Sequence, residues 1–420
     1  MKKISCCAAL LLVALGGVRL SGQSYLSFRE EADGIRERAR LRLGPLRIIP
    51  EFRLSEVGYD SNVYFREASA GIVSDFTATL SPGARGYWLV GSSLILSVTE
   101  NPEYLFYAKE KELRAFTNSF ASSLRLLVLR RFSLSADYHV LSHVRRALSE
   151  FDRRIQDTVK GGTAGFFFET PRGTAAGLTG SLEDFRYKDV ASNAPDDIYA
   201  RSLDRRETAA AFEFYYRVFS QSFFFTTAGW TRYEFVFPES AWRNASSFEV
   251  SGGLRFPLLG RARGTLSLGW KSFQPESPER RPFSGLVAAT DVVFRLGRLG
   301  LNLGYSRDNA FSYNESAYYY VDGRARAGLS FYIAPFLRID GTVQLGTLDY
   351  PEPQEVWVGG EVLVIDRRKD VHRTFSVGPV VRVAGTAGLG LTYNFYRRTS
   401  NAPGFNVRRN FVGAFLTYEF

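Results

Sequence analysis

Thiols are nearly absent. The 420-residue chain has 2 cysteines, Cys6 and Cys7, and both lie in an N-terminal leader. Lys2 and Lys3 give that leader its positive start, Ile4 to Val18 its apolar core, and Ser21-Gly22 a small-residue cleavage zone. This is the layout of a secretory signal over residues 1–22; the competing reading is an uncleaved anchor, but the run is short of the ~18–20 residues that a spanning helix needs. Cleavage removes both thiols, so the mature chain is expected to have no disulfide and no thiolate metal site. It also leaves 50 basic against 43 acidic residues, a mild excess that favours anionic partners only weakly.

Beyond the leader, no apolar stretch approaches a membrane helix, and no amphipathic helix repeats clearly. "REEADGIRERARLR" (29–42) reads as a short helix or an unstructured lead-in. Hydropathy alone suggests a soluble protein, but it misses membrane β-barrels, whose apolar residues alternate. Catalytic signatures are lacking too. His139 and His143, two of only 3 histidines, lie four residues apart in strand-like sequence. That is about 13 Å, too far to share a metal, so they read as structural lumen residues. No "GxSxG" elbow occurs. "GTAGLG" (385–390) joins two strands, unlike a phosphate loop between strand and helix. The dispersed basic residues form no nucleic-acid module. The chain therefore reads as a non-enzyme with no cofactor, no metal site and no nucleic-acid partner.

What is plentiful is Gly (38), Phe (35) and Tyr (22), arranged with period 2. Leu299, Leu301, Leu303 and Tyr305 alternate with Gly300, Asn302 and Gly304. Leu266, Leu268 and Trp270 alternate with Ser267, Gly269 and Lys271. Leu389, Leu391, Tyr393 and Phe395 alternate with Gly390, Thr392 and Asn394. About 18 such strands (16 as the alternative) follow from residue 47, with connections that alternate short and long. That pattern predicts an all-β fold, a transmembrane antiparallel up-and-down β-barrel over 47–420, preceded by a periplasmic segment over 23–46. An even strand count puts both barrel termini on the periplasmic side of an outer membrane. The last strand presents Val412, Ala414, Leu416, Tyr418 and Phe420 on one apolar face; Tyr418 and the terminal Phe420 resemble the signal that barrel-assembly machinery recognises.

Strand parity assigns faces, because lipid tolerates no row of charges at mid-depth. The lumen-lining candidates are Glu213, Tyr215, Arg217, Arg232, Glu234, Glu249, Arg255, Asp291, Arg295, Tyr318, Tyr320, Arg324, Arg326, Arg338 and Asp340. Arginine beside carboxylate admits two readings: cross-bracing of a wide wall, or a charged constriction that orients a polar solute. The tyrosines either stack on sugar rings or fill space. Connection 351–370 is the best plug or lid candidate.

The stretch "EVGYDSNVYF" (56–65) breaks the alternation of the first strand. Ile48, Phe52 and Leu54 share one face, and parity slips at Ser55-Glu56. A β-bulge is expected there, turning Tyr59 to lipid and Gly58 and Asp60 inward, with Asp60 and Asn62 starting a turn. "GPLRIIPEFRLSEVGYDSNVYF" (44–65), with Gly58, Tyr59, Asp60 and Asn62 as its motif, resembles the opening of the outer-membrane β-barrel family called β-barrel porin 2. Some members of that group accompany capsule or exopolysaccharide export. The resemblance thus implies an outer-membrane channel without catalytic residues, and a possible conduit for a polysaccharide with periplasmic export components as partners. A general porin for small polar or anionic solutes, or a structural or adhesive barrel, are the alternatives. Outer-membrane lipid and lipopolysaccharide would surround any of them.

Overall fold

A computed structural model describes residues 28–39, 41–145, 155–189, 201–219, 222–258, 261–313, 317–358, 361–383 and 386–419. The leader and Phe420, and with them the signal and the terminal aromatic, lie outside the described residues.

One helix, α1 (Phe28–Arg38), leads to a short strand, β1 (Leu41–Leu43). The wall follows as β2 (Leu46–Asp60), β3 (Asp75–Val90), β4 (Leu94–Tyr107), β5 (Ala115–Val128), β6 (Phe132–Arg145) and β7 (Ile155–Glu169). It continues as β8 (Ala175–Asp189), β9 (Arg205–Phe219), β10 (Ser222–Phe235), β11 (Ala245–Leu258), β12 (Ala262–Pro275) and β13 (Phe283–Leu296). After β14 (Leu299–Phe311), β15 (Tyr319–Ala334) and β16 (Leu337–Tyr350), a side hairpin of β17 (Gln354–Val358) and β18 (Glu361–Ile365) interrupts. The wall resumes with β19 (Arg368–Val383), β20 (Ala387–Ser400) and β21 (Val407–Glu419).

Each wall strand pairs antiparallel with its chain neighbours, β16 pairs with β19 past the hairpin, and β21 pairs with β2. The result is a closed barrel of 18 strands. Closure leaves no edge with unpaired backbone groups, which a strand structure in lipid requires. Strands of 13–16 residues exceed the ~9–11 needed to cross, so the wall stands beyond the apolar band.

Alternation explains the wall. On β12, Leu266, Leu268 and Trp270 are exposed while Lys271 and Phe273 are buried; on β20, Leu389, Leu391 and Tyr393 are exposed opposite Gly390 and Arg398. Large apolar side chains outside and polar ones inside are the reverse of a soluble protein and the requirement of a membrane barrel. Short turns, such as 91–93, 129–131 and 297–298, lie at the end where β2 begins and β21 finishes. In the two-residue turn at 297–298, Gly297 takes φ 60°, as primed hairpin turns demand.

At the other end the connections fold inward and build the aromatic core. Tyr233, Phe273, Phe283, Tyr318 and Tyr319 pack together with Trp242 and Phe311. Arg243, 1% exposed, is held inside by a hydrogen bond from its Nη1 to Ser312 O at 2.7 Å, and Tyr318 Oη donates to Arg243 O at 3.0 Å. Connection 351–370, the expected lid, differs. Gln354 and Val356 are buried at its base, but Val362, Leu363 and Val364 are exposed, so the ribbon projects as a hairpin. Its two strands pair in a local ladder that satisfies their backbone groups and leaves these apolar side chains uncovered.

Candidate functional site

The motif read as a rim element lies at the barrel seam. β2 shifts register against β21 between Leu54 and Val57, and against β3 between Ser55 and Gly58. Glu56 takes φ 54° there, the left-handed residue of a β-bulge. The extra residue reverses parity: Tyr59 is 54% exposed and outward, while Asp60 and Asn62 are fully buried. Asp60 accepts from Arg409 Nε at 2.9 Å and Nη2 at 2.8 Å, a bidentate pair between the first and last wall strands. Asn62 N donates to Asp60 Oδ1 at 3.1 Å, and Asn62 Nδ2 donates to Arg408 O at 3.1 Å. A Cβ on Gly58 would lie 2.1 Å from Val412 O and 2.4 Å from Gly413 Cα, so only glycine lets the two strands approach. The bulge and turn are legible in the sequence; the clasp is not, because its partners are about 350 residues away.

The lumen face carries ion pairs. Arg324 pairs with Asp322 and Arg338 with Asp340, each two residues along one strand, where period 2 puts both on the same face. Arg326 reaches Asp291 at 2.9 Å. It crosses β14 at Gly304, opposite Arg326 in the ladder, where a Cβ would lie 3.6 Å from its Nε. Lys271 pairs with Asp308 at 2.9 Å and faces Glu249 across the ladder. Arg368–Asp370 and Arg205–Glu207 are buried pairs nearer the long-connection end. Sequence parity finds the inward positions of Asp291, Arg324, Arg326, Arg338 and Asp340 but not which carboxylate meets which cation across one or two strands, and it leaves Arg368 and Asp370 in a connection. The histidines are an instance: His139 lies 3.8 Å from Glu183 on β8, and His143 lies opposite Asp157 on β7, acids invisible in the local sequence. Among the described residues, no group of three potential ligands could hold a metal.

Several candidates do not line an open lumen. Arg232 and Glu234 stand on the outward parity of β10 with Trp230, while Thr231 and Tyr233 point inward. They form an exterior pair at 3.2 Å, half exposed. The inward assignment fails because β10 overshoots the apolar band, and charge there marks the end of the band, not the inner face. Tyr215, Tyr318 and Tyr320 are 3%, 0% and 2% exposed, so they fill space and offer no open ring. Glu213 is also buried, accepting from Tyr215 Oη and Thr179 Oγ1. Tyr418 lies on the outward parity of β21, opposite Phe52 and Ala387.

The mouth next to the termini has two features. Arg217, Arg255, Arg295, Arg338 and Arg382 take inward positions there on five strands. Against the same mouth, α1 buries Phe28, Ala32 and Ile35 on Leu89 and Ile95, with Tyr87 and Leu127 flanking. Glu31 pairs with Arg125 of β5. The helix lines the inner wall and turns Asp33, Arg36 and Glu37 toward the opening.

No curated protein sequence matches the chain. Solved structures do. OccK2 (OpdF) from Pseudomonas aeruginosa has a TM-score of 0.51 at 15% identity, over 90% of this chain and 98% of that one, and was also solved in complex with glucuronate. OpdK from the same organism gives 0.51 at 10%, over 89% and 98%. A BenF-like porin from Pseudomonas fluorescens Pf-5 gives 0.50 at 11%, over 90% and 99%. At these identities the likeness is one of fold. The sequence pattern of the family described as "Putative beta-barrel porin 2" matches residues 39–420. A closed barrel with an apolar exterior, a polar interior and that pattern over nearly its whole length makes this chain a porin-like, integral outer-membrane protein of the β-barrel porin 2 family.

Proposed function

We propose that the barrel is a passive channel for small polar solutes with a preference for anions. The observation that carries this is the set of inward arginines, Arg217, Arg255, Arg295 and Arg382, around the terminal mouth. In a low-dielectric wall such residues concentrate anions at the opening. Arg324, Arg326 and Arg338, held by Asp322, Asp291 and Asp340, brace the wall. The proposed orientation puts the long connections outside the cell and both termini in the periplasm, as short periplasmic turns suggest. Tyr418, with Phe420 beyond it, would then present the last strand to the assembly machinery.

Planar bilayers under a KCl gradient test the proposal. The expected reversal potential has the sign of chloride selectivity, and it moves toward zero in Arg255→Gln/Arg295→Gln. A barrel that does not conduct, or one that selects potassium, overturns it. Export of a polysaccharide with periplasmic export components is the second reading. The resemblance of residues 44–65 motivates it, but the inward-packed connections favour a solute of small cross-section. Unchanged secreted polysaccharide after deletion of the gene would remove that reading.

A further inference from the structure

The outward face of the last three wall strands carries a row of like charges. Arg373 on β19 is directly opposite Arg397 on β20, and Arg397 is directly opposite Arg408 on β21. All three are exposed, and the residues beside them in sequence, His372, Arg398 and Val407, are buried. Directly opposed Cα atoms in such a ladder are about 4.5–5.5 Å apart, so the three arginines spring from a stretch of wall about 10 Å wide. Like charges facing each other across strands destabilise a sheet. Two other exterior arginines have acid partners, Arg186 with Asp184 and Arg232 with Glu234. The row has none: no ion pair joins it to a described carboxylate, and the outward positions of β19, β20 and β21 carry no Asp or Glu.

The row's height is defined. Below it the outward face is apolar, through Phe375, Tyr393, Leu391, Leu389 and Val412. Arg397 stands ten residues along β20 from Ala387, or about 26 Å along the axis at ~3.4 Å per residue and ~40° tilt. The outward face turns from apolar to charged at this height, which puts the guanidinium groups where hydrocarbon gives way to headgroups. Arg408 lies over the Phe395 ring at 5.6 Å, which anchors its side chain at that boundary.

We propose that Arg373, Arg397 and Arg408 form a binding site for the phosphate groups of an anionic outer-leaflet glycolipid, of the lipid A type. Arginine forks bind phosphate in bidentate fashion, and a multiply charged headgroup supplies the neutralisation the fold omits. The occupant is a lipid because the site is continuous with the apolar face that acyl chains cover. The assignment to the outer leaflet rests on the orientation proposed above.

The full-length barrel, folded in detergent, would be titrated with diphosphorylated lipid A and read by native mass spectrometry. Wild type is expected to retain the lipid. Arg373→Gln/Arg397→Gln/Arg408→Gln should bind about a hundredfold more weakly, and Arg397→Gln alone about fivefold. Heat-modifiable gel mobility checks that each variant is folded, and the single variant, which changes one exposed residue, decides the matter if the triple does not fold. Arg186→Gln/Arg232→Gln, which changes acid-paired exterior arginines, should bind as wild type. Undiminished binding by the triple variant overturns the site. An equal loss in the control pair overturns it in favour of diffuse surface charge. Displacement of the lipid by inorganic phosphate at comparable concentration overturns the lipid assignment and leaves a free-anion site. Binding to the purified barrel does not depend on orientation. That is tested separately by an impermeant maleimide on Asn401→Cys in intact cells: labelling supports the outer leaflet, and protection overturns it.

Discussion

At Asp60 and Gly58 single residues shape the seam between the first and last wall strands. The Asp60 carboxylate is fully buried and held by both Nε and Nη2 of Arg409. Removing one partner of such a pair leaves an uncompensated charge, so Asp60→Ala is expected to cost about 3–5 kcal/mol. The measurement is a denaturant unfolding midpoint in detergent. A shift confined to below about 1 kcal/mol would mean that Arg409 finds another acceptor and the clasp is incidental. Gly58→Val should be worse than a typical surface change, because its Cβ would meet backbone atoms at 2.1 and 2.4 Å, which cannot rotate away. The residue types of this motif are plain in the sequence, and so are the bulge and the Asx turn. That they belong to the seam is not, since nothing local to Asp60 announces Arg409.

Among elements, α1 is the one that period analysis leaves open. Its buried positions, Phe28, Ala32 and Ile35, have the i, i+4, i+7 spacing of a helix face. They are too few to establish a helix in isolation, since short helices need tertiary packing. The inner wall supplies it through Leu89, Ile95 and the Arg125–Glu31 pair. Deleting residues 28–39 is expected to raise single-channel conductance while the barrel keeps its heat-modifiable mobility. Unchanged conductance would show that the helix stands clear of the conducting path. The β17–β18 hairpin is the opposite case. Its length in sequence suggests a lid; in the structure it is a self-paired ribbon whose ladder satisfies its own backbone while Val362, Leu363 and Val364 stay exposed.

For the molecule as a whole, closure is the governing condition. A chain ending before Val407 lacks β21 and leaves β2 and β20 as open edges, each a row of unpaired donors and acceptors in lipid. Such a truncation is expected to yield no heat-modifiable form on gels, whereas removal of residues 354–365 should leave folding intact. A folded barrel from the truncated chain would mean that β2 and β20 can pair directly.

Local alternation established the strands, a count of about 18, most of the faces and the bulge, because period 2 is a local property and lipid enforces it over the apolar band. It misplaced Arg232 and Glu234, where the strand runs past that band and parity loses its physical cause. It also left open whether tyrosines such as Tyr215 and Tyr318 would face solute or packing. Only the tertiary structure decided the pairs Asp60–Arg409, Arg326–Asp291 and Lys271–Asp308, the packing of α1 against the mouth, and the alignment of Arg373, Arg397 and Arg408. Each depends on register between strands, and register is set by the turns, bulges and closure of the whole ring.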